Sequence, residues 1–162
     1  MTPLVRTATP ADAEAACAVI RRSIVESCIE DHHRDPTVLA TWLANKTPEG
    51  VRSWIASPDA FGVVAESDGA IVGFAMLTMP GEISLCYLLP EAQGLGIGRA
   101  MLTALENEAA RRNLADLTLR STESAHRFYL RLGFVDSGPA RRGRFITAQP
   151  MRKALRRSPP RG

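Results

Sequence analysis

Cysteine is scarce in this chain, and what there is does not pair. Cys17, Cys28 and Cys86 are odd in number and lack the spacing of a disulfide framework. Such usage points to a reducing compartment. No Cys/His spacing suits a zinc site, so no metal is expected. No apolar run approaches the length of a membrane span. Met1-Thr2-Pro3-Leu4-Val5-Arg6 lacks the apolar core of a secretory signal, and a cytoplasmic location is the expectation. Internal repeats and dividing linkers are missing too. So is any basic stripe interleaved with aromatics, which argues against nucleic acid as a partner.

The remaining composition, 45% hydrophobic and 23% charged, is that of a globular protein with a real core. Charge is unevenly placed. Arg141 to Gly162 holds eight basic residues and no acidic one, while the rest has twelve basic against seventeen acidic. Residues 1–155 read as one domain and 156–162, with Ser158-Pro159-Pro160, as a basic, disordered tail.

Punctuation along the chain predicts alternating elements. Leu4 to Thr7 reads as a strand. Thr9-Pro10-Ala11-Asp12 starts a helix, followed by Ala13, Cys17, Ile20, Ile24 and Cys28 at helical spacing. Asp35-Pro36 and Thr47-Pro48 start two shorter helices, and Glu30 to Asp35 reads as a polar loop. Phe61 to Thr78 around Asp68-Gly69 is a hairpin signature. Strands are predicted over Glu82 to Leu89, Leu114 to Leu119 and Phe145 to Met151. One helix follows the glycine-rich turn, with Met101, Leu102, Leu105, Ala109 and Arg112 on its face. Another runs from a Ser121-Thr122 cap to Leu132, with Gly133 just past its end.

The most informative stretch is Gln93-Gly94-Leu95-Gly96-Ile97-Gly98-Arg99, between an apolar strand closed by Pro90 and a helix. Alternate glycines let a ligand approach the main chain, and a helix N-terminus offers free N–H groups to an anion. A dinucleotide fingerprint fails, because Arg99 or Met101 stands at its third glycine. A triphosphate loop fails, because Gly98 is followed by Arg99 and Ala100. Gln93, Gly96 and Gly98 leave Q-x-x-G-x-G. Downstream, Ala125-His126-Arg127-Phe128-Tyr129-Leu130-Arg131-Leu132-Gly133-Phe134 forms A-x-x-F-Y-x-x-x-G-F.

These two motifs, in this order, resemble the GNAT superfamily of acyl-CoA-dependent N-acetyltransferases, over roughly Phe61 to Phe145. The resemblance implies an α+β fold. Its mixed, mostly antiparallel central sheet is flanked by helices and splayed between strands 4 and 5, where acetyl-CoA enters. It implies a cofactor site at Gln93, Gly94, Leu95, Gly96, Ile97, Gly98, Arg99 and Ala100, with Thr122 and Phe128. Leu88 and Leu89 would offer main-chain bonds to the pantetheine arm. Many members have Asn where Thr122 stands.

The implied reaction is direct transfer of acetyl from acetyl-CoA to a primary amine of a small molecule or peptide. A non-catalytic acyl-CoA-binding or sensor module is the alternative. Tyr129 is the candidate general acid, or else an amphipathic core tyrosine. Glu82 is the candidate base, or else an exposed strand-end carboxylate. Strand alternation puts Glu82, Ser84 and Cys86 on one face. Asp31, His32 and His33 read either as acceptor contacts, with His32 the alternative base, or as a polar interhelix loop. Arg127 and Arg131 read as 3′-phosphate contacts or a solvated face, and Cys28 and Cys86 as core thiols. The acceptor's identity and the oligomeric state are left open, a homodimer included.

Overall fold

The computed structural model describes residues 3–155; the basic tail 156–162 lies outside them. Strand β1 (Leu4–Thr7) leads through a 3-10 turn (Pro10–Asp12) into helix α1 (Ala13–Ser27). Helices α2 (Ile29–His32), α3 (Pro36–Leu43) and α4 (Pro48–Ala56) follow. Then come β2 (Ala60–Ser67), β3 (Ala70–Thr78), β4 (Glu82–Leu88), α5 (Ile97–Arg111), β5 (Asp116–Ser121) and α6 (His126–Arg131). Strands β6 (Val135–Asp136), β7 (Arg141–Arg142) and β8 (Thr147–Ala154) complete the order.

The helix starts follow their caps. Asp35 accepts from the N–H of Thr37 at 2.8 Å, and Thr47 accepts from that of Gly50 at 3.0 Å. Thr9 and Asp12 form a reciprocal capping box ahead of α1. Asp68 (φ 52°) and Gly69 (φ 78°) make the tight β2–β3 turn, both in the left-handed region that a type I′ turn requires. Helix α6 closes as a Schellman motif. Phe134 N–H donates to Tyr129 O and Gly133 N–H to Leu130 O, both at 3.1 Å, with Gly133 at φ 94°.

The sheet runs β1-β2-β3-β4-β5-β8-β6, with β7 also on β8. Every pairing is antiparallel except β4–β5. That parallel pair meets only at Glu82–Thr118 and Ile83–Leu119. Beyond those positions the two strands part, which is the splay expected between strands 4 and 5. Each sheet face buries its own core. Met101, Leu102 and Leu105 of α5 pack with Ala75, Leu77 and Leu117. Ile20, Ile24 and Trp42 pack with Val64, Phe74 and Met76 on the other side. Truncating one of these large side chains costs ~2–5 kcal/mol.

Several local expectations are corrected. Met76 faces Leu85 while Leu77 faces Ile83, so Ser84 is an extra residue, a β-bulge. The bulge inverts the alternation beyond it: Ile83 and Cys86 join one core, Leu85 and Tyr87 the other. Glu82 and Cys86 therefore do not share a face. Residues 29–32 form a helical turn rather than a loop. Helix α6 begins at His126, because β5 runs on to Ser121 and a capped turn intervenes. Strand β8 is shifted from the predicted 145–151, since Phe145 belongs to a hairpin tip. Arg112 is exposed and pairs with Glu108 instead of continuing the apolar face.

Candidate active site

Where β4 and β5 part, a cleft of about 530 Å³ opens between them. Its walls come from α1 (Ser23, Ser27), Cys28 just past its end, β4 from Ile83 to Leu88, the glycine turn, Arg120, Thr122 and α6 (Phe128, Tyr129, Arg131). This volume is typical of small-molecule sites.

At one end the ligand-facing groups are main chain. Gly94 (φ 78°) and Gly96 (φ 81°) hold left-handed conformations, and a Cβ on either would meet nothing within 4 Å. Gly96 caps α5, leaving the N–H groups of Ile97, Gly98 and Arg99 without intrahelical acceptors. Successive free amides of this kind form an anion cradle. The Ile97 side chain is buried in the core and pins the turn, while Leu95 is exposed. Ala100 is a correction: its N–H already donates to Gly96 O at 3.1 Å. Gly98 and Phe128 line the cleft and also pack on each other. A Cβ on Gly98 would sit 2.9 Å from the Phe128 ring, so Gly98 lets α6 lie against α5, and Phe128 is its packing partner. Gln93 Nε2 donates to Ser27 Oγ at 3.2 Å, tying the turn to α1.

Leu88 and Leu89 divide by the pleat. The Leu89 N–H donates to Val72 O at 2.9 Å, toward β3 and away from the cleft. Alternation aims the main-chain groups of Leu88 and Cys86 the other way, into the splay. Leu88 O accepts from Ser23 Oγ at 3.1 Å. Thr122 Oγ1 accepts from Ala125 N–H at 3.2 Å and lies 3.2 Å from Ser124 Oγ, so it caps the turn before α6.

Tyr129 is buried on α6, its ring edge-on to Phe128 and Phe134 at 5.2 and 5.7 Å. Burial raises its phenol well above the usual tyrosine range, and the neighbouring Cys86 adds to this. Such a phenol keeps its proton across the neutral range. Burial also pushes the Cys86 and Cys28 thiols up to about 12. Both line the cleft as thiols, not thiolates, which makes them poor nucleophiles. Tyr87 was not among the expected site residues. It lines the cleft, packs on the Trp42 side, and burial raises its phenol. The bulge at Ser84 turns it there, and no sequence pattern announces that bulge.

The carboxylates stand apart from the cleft walls. Glu82 lies where the strands still pair, its side chain 41% exposed, and Arg120 Nη2 donates to it at 3.5 Å. Asp31 accepts from Glu123 N–H at 2.7 Å and from Ser124 Oγ at 2.6 Å, holding the turn before α6. It is a structural clamp, not a free acceptor contact. His32 is fully buried. Its Nε2 bonds to Ile24 O and Val25 O at 3.0 and 3.2 Å, and Nδ1 accepts from Arg34 N–H at 2.9 Å. Those partners fix the proton on Nε2 and occupy the Nδ1 lone pair, so His32 is not available as a base. His33 is exposed at the left-handed residue ending α2. Neither His33 nor Arg127 lines the cleft, whereas Arg131 does.

The Acetyltransferase (GNAT) domain profile matches residues 25–155. An uncharacterized N-acetyltransferase of Methanocaldococcus jannaschii is 40% identical over 90 residues, 51% of this chain and 57% of that protein. An IAA acetyltransferase of Azospirillum brasilense is 33% identical over 93 residues, 52% of this chain and 61% of that one. The chain thus spans about three fifths of the length of these curated relatives. Among solved structures, a GCN5-related N-acetyltransferase of Rhodopseudomonas palustris superposes with TM-score 0.84 at 25% identity, covering 96% of this chain and 97% of the other. PaiA N-acetyltransferase of Thermoplasma acidophilum, solved with coenzyme A, superposes with TM-score 0.83 at 19% identity, covering 95% and 99%.

Proposed function

The chain belongs to the GNAT acetyltransferase family, and from that premise we propose that it moves acetyl from acetyl-CoA to a primary amine by direct attack. One observation carries this reading: the cradle at Gly94 and Gly96 and the buried phenol of Tyr129 open onto the same cleft. Space for a Cβ at both glycines fits a pyrophosphate lying against the main chain. Bound coenzyme A in the structural relative from Thermoplasma acidophilum supports the same identification.

Acetyl-CoA supplies the activated thioester. The amides of Ile97, Gly98 and Arg99 hold its phosphates, with the Arg99 guanidinium alongside. The main chain of Cys86 and Leu88 pairs with the pantetheine amides as a neighbouring strand would. The amine acceptor enters from the α1 side, past Ser23, Ser27 and Tyr87. Tyr129 gives its proton to the departing sulfur, and the phenolate takes up the second proton that the nitrogen loses as the amide forms. Glu82, at the closed end of the splay, takes the ammonium proton through water.

Thiol release from acetyl-CoA across a panel of amines tests the reaction. Turnover with at least one amine is expected. Tight acetyl-CoA binding with no turnover for any amine would leave a binding module instead. Glu82→Gln should flatten the acid limb of the pH–rate profile and lower turnover about tenfold or more, leaving acetyl-CoA affinity intact. Wild-type turnover across that limb would remove Glu82 as the base.

A further inference from the structure

The basic stretch beginning at Arg141 divides into two parts. In β8, Arg152 pairs with Asp116 at 2.7 Å and Lys153 with Glu106 at 2.8 Å. In the β7–β8 hairpin, Arg141, Arg142 and Arg144 are all exposed and enter no ion pair among the described residues. Three cations this close repel one another, and packing requires none of them.

The hairpin is fixed in place. Gly143 N–H donates to Ile146 O at 2.8 Å, closing a turn with Arg144 and Phe145 at its tip. The Phe145 ring lies 5.6 Å from that of Trp42 in α3. Phe145 and Ile146 pack on the core that holds Cys28, Leu85 and Tyr87, and those three residues line the cleft. The hairpin leaves the sheet on the β5 side of the splay and docks on the helices of the β4 side. It therefore bridges the two sides of the splay beyond Ser121, the last residue of β5, with its apolar tip anchored on Trp42 and its arginines exposed.

The cleft itself has the same sign. Arg99, Arg120 and Arg131 line it, and no carboxylate does among the described residues. Arg120 is paired with Glu82 and Arg99 lies at the cradle, so the unpaired charge that a segment flanking the amine meets is that of the hairpin, which disfavours a cationic flank. Arg141 and Arg142 are successive strand residues and point to opposite faces, so one compact anion does not meet all three arginines. A segment bearing several carboxylates can reach both faces of the hairpin. Nucleic acid fits less well: it needs free aromatic faces for stacking, and Phe145 is already engaged with Trp42.

The geometry points to an acidic peptide segment as the acceptor. Its amine enters the cleft while flanking carboxylates lie against Arg141, Arg142 and Arg144. This assignment rests on the acetyl-transfer reading for its chemistry, but its binding surface is testable without turnover.

The variant is the triple exchange Arg141→Gln, Arg142→Gln, Arg144→Gln, at three exposed positions. Unchanged acetyl-CoA affinity checks that it folds. The probes are a Glu-rich peptide, a Lys-rich peptide of equal length and a single-stranded oligonucleotide. Calorimetry on the coenzyme A-loaded protein reads binding at low and high salt, and thiol release reads turnover. The acidic peptide should bind roughly tenfold more tightly than the basic one, and both the triple variant and high salt should abolish that preference. Equal binding of the two peptides, undiminished binding by the triple variant, or an oligonucleotide bound as tightly as the acidic peptide would each overturn the assignment. Turnover of the Lys-rich peptide alone would overturn it while preserving acetyl transfer. Selective binding of the acidic peptide with no thiol release from any amine would keep the surface and refute the transfer reading.

Discussion

At the Gly94 end of the cleft the groups turned toward a ligand are main-chain amides, whereas at the α2 end the polar side chains are turned into the protein. Gly94 and Gly96 face open space. Asp31 and His32, by contrast, have their polar atoms taken by Glu123, Ser124, Ile24, Val25 and Arg34. The first end is shaped by backbone conformation, which glycine adopts at little cost. The second works through which neighbour a side chain finds, and that is a tertiary matter. Conspicuous polar residues can therefore serve the scaffold while residues with no side chain at all leave the main chain open to the cleft.

The comparison breaks most readily at Gly96. Gly96→Val puts a β-branched residue at φ 81° and a side chain into the open cradle. Acetyl-CoA affinity should fall about 10³-fold, or ~4 kcal/mol, in a protein that still folds. Gly98→Val should behave differently, because its Cβ would meet the Phe128 ring at 2.9 Å and reduce stability directly. Calorimetric binding and thermal melts separate the two. Normal affinity in folded Gly96→Val would end the main-chain account of this site.

Tyr129 sharpens the contrast, being a buried side chain that lines the cleft. Tyr129→Phe keeps the edge-on ring packing with Phe128 and Phe134 and removes only the hydroxyl. We expect kcat to fall ~10²–10³-fold with acetyl-CoA affinity within about twofold. An equal loss in affinity would make Tyr129 a packing residue.

These two predictions differ in how much the sequence alone supports them. The glycine turn was legible because glycines at fixed offsets between strand and helix have a conformational meaning. The Phe-Tyr pair was legible because its motif lies in order downstream. The splay followed from the family resemblance, and the pairing of β4 with β5 at only two positions bears it out. The acceptor side was not legible. The bulge at Ser84 shifts Tyr87 into the cleft wall, and a one-residue slip leaves no mark in composition. His32 and Asp31 read as acceptor contacts or as a solvated loop, because polar residues in a short interhelix segment are normally solvated. Here the segment winds into α2 and buries one of them completely. The engaged N–H of Ala100 and the packing of Phe128 on Gly98 were not legible either, since proximity to a motif does not say which partner a group will take.

His32 offers the next test. If it is structural, His32→Ala should cost ~2.5 kcal/mol of stability, since two carbonyls and an N–H lose their buried partner. Turnover of the remaining folded protein should keep its wild-type acid limb. A selective loss of that limb, with stability unchanged, would return His32 to the chemistry.

The smallest expected effect concerns how the acceptor side is anchored. Helix α1 brings Ser23, Ser27 and Cys28 to the cleft, and its start is tied down by Asp12. The Arg6 guanidinium bonds Asp12 at 2.8 and 2.9 Å and also Glu66 at 2.8 Å, joining β1, β2 and the entry to α1. Hydrogen bonding from Arg6 lowers the Asp12 carboxyl to about 2, against the cost of its burial. Because the folded value lies below the unfolded one, the bound proton favours the unfolded chain. The stabilisation is therefore complete above the ordinary carboxylate range and fades as pH falls from about 4 toward 2. Asp12→Asn should cost ~2 kcal/mol at neutral pH, and wild type and variant should converge near pH 2. Urea melts across that range measure the difference. A gap that stays constant with pH would mean that Asp12 acts through shape and capping, and that its ion pair with Arg6 contributes nothing to holding α1 against the sheet.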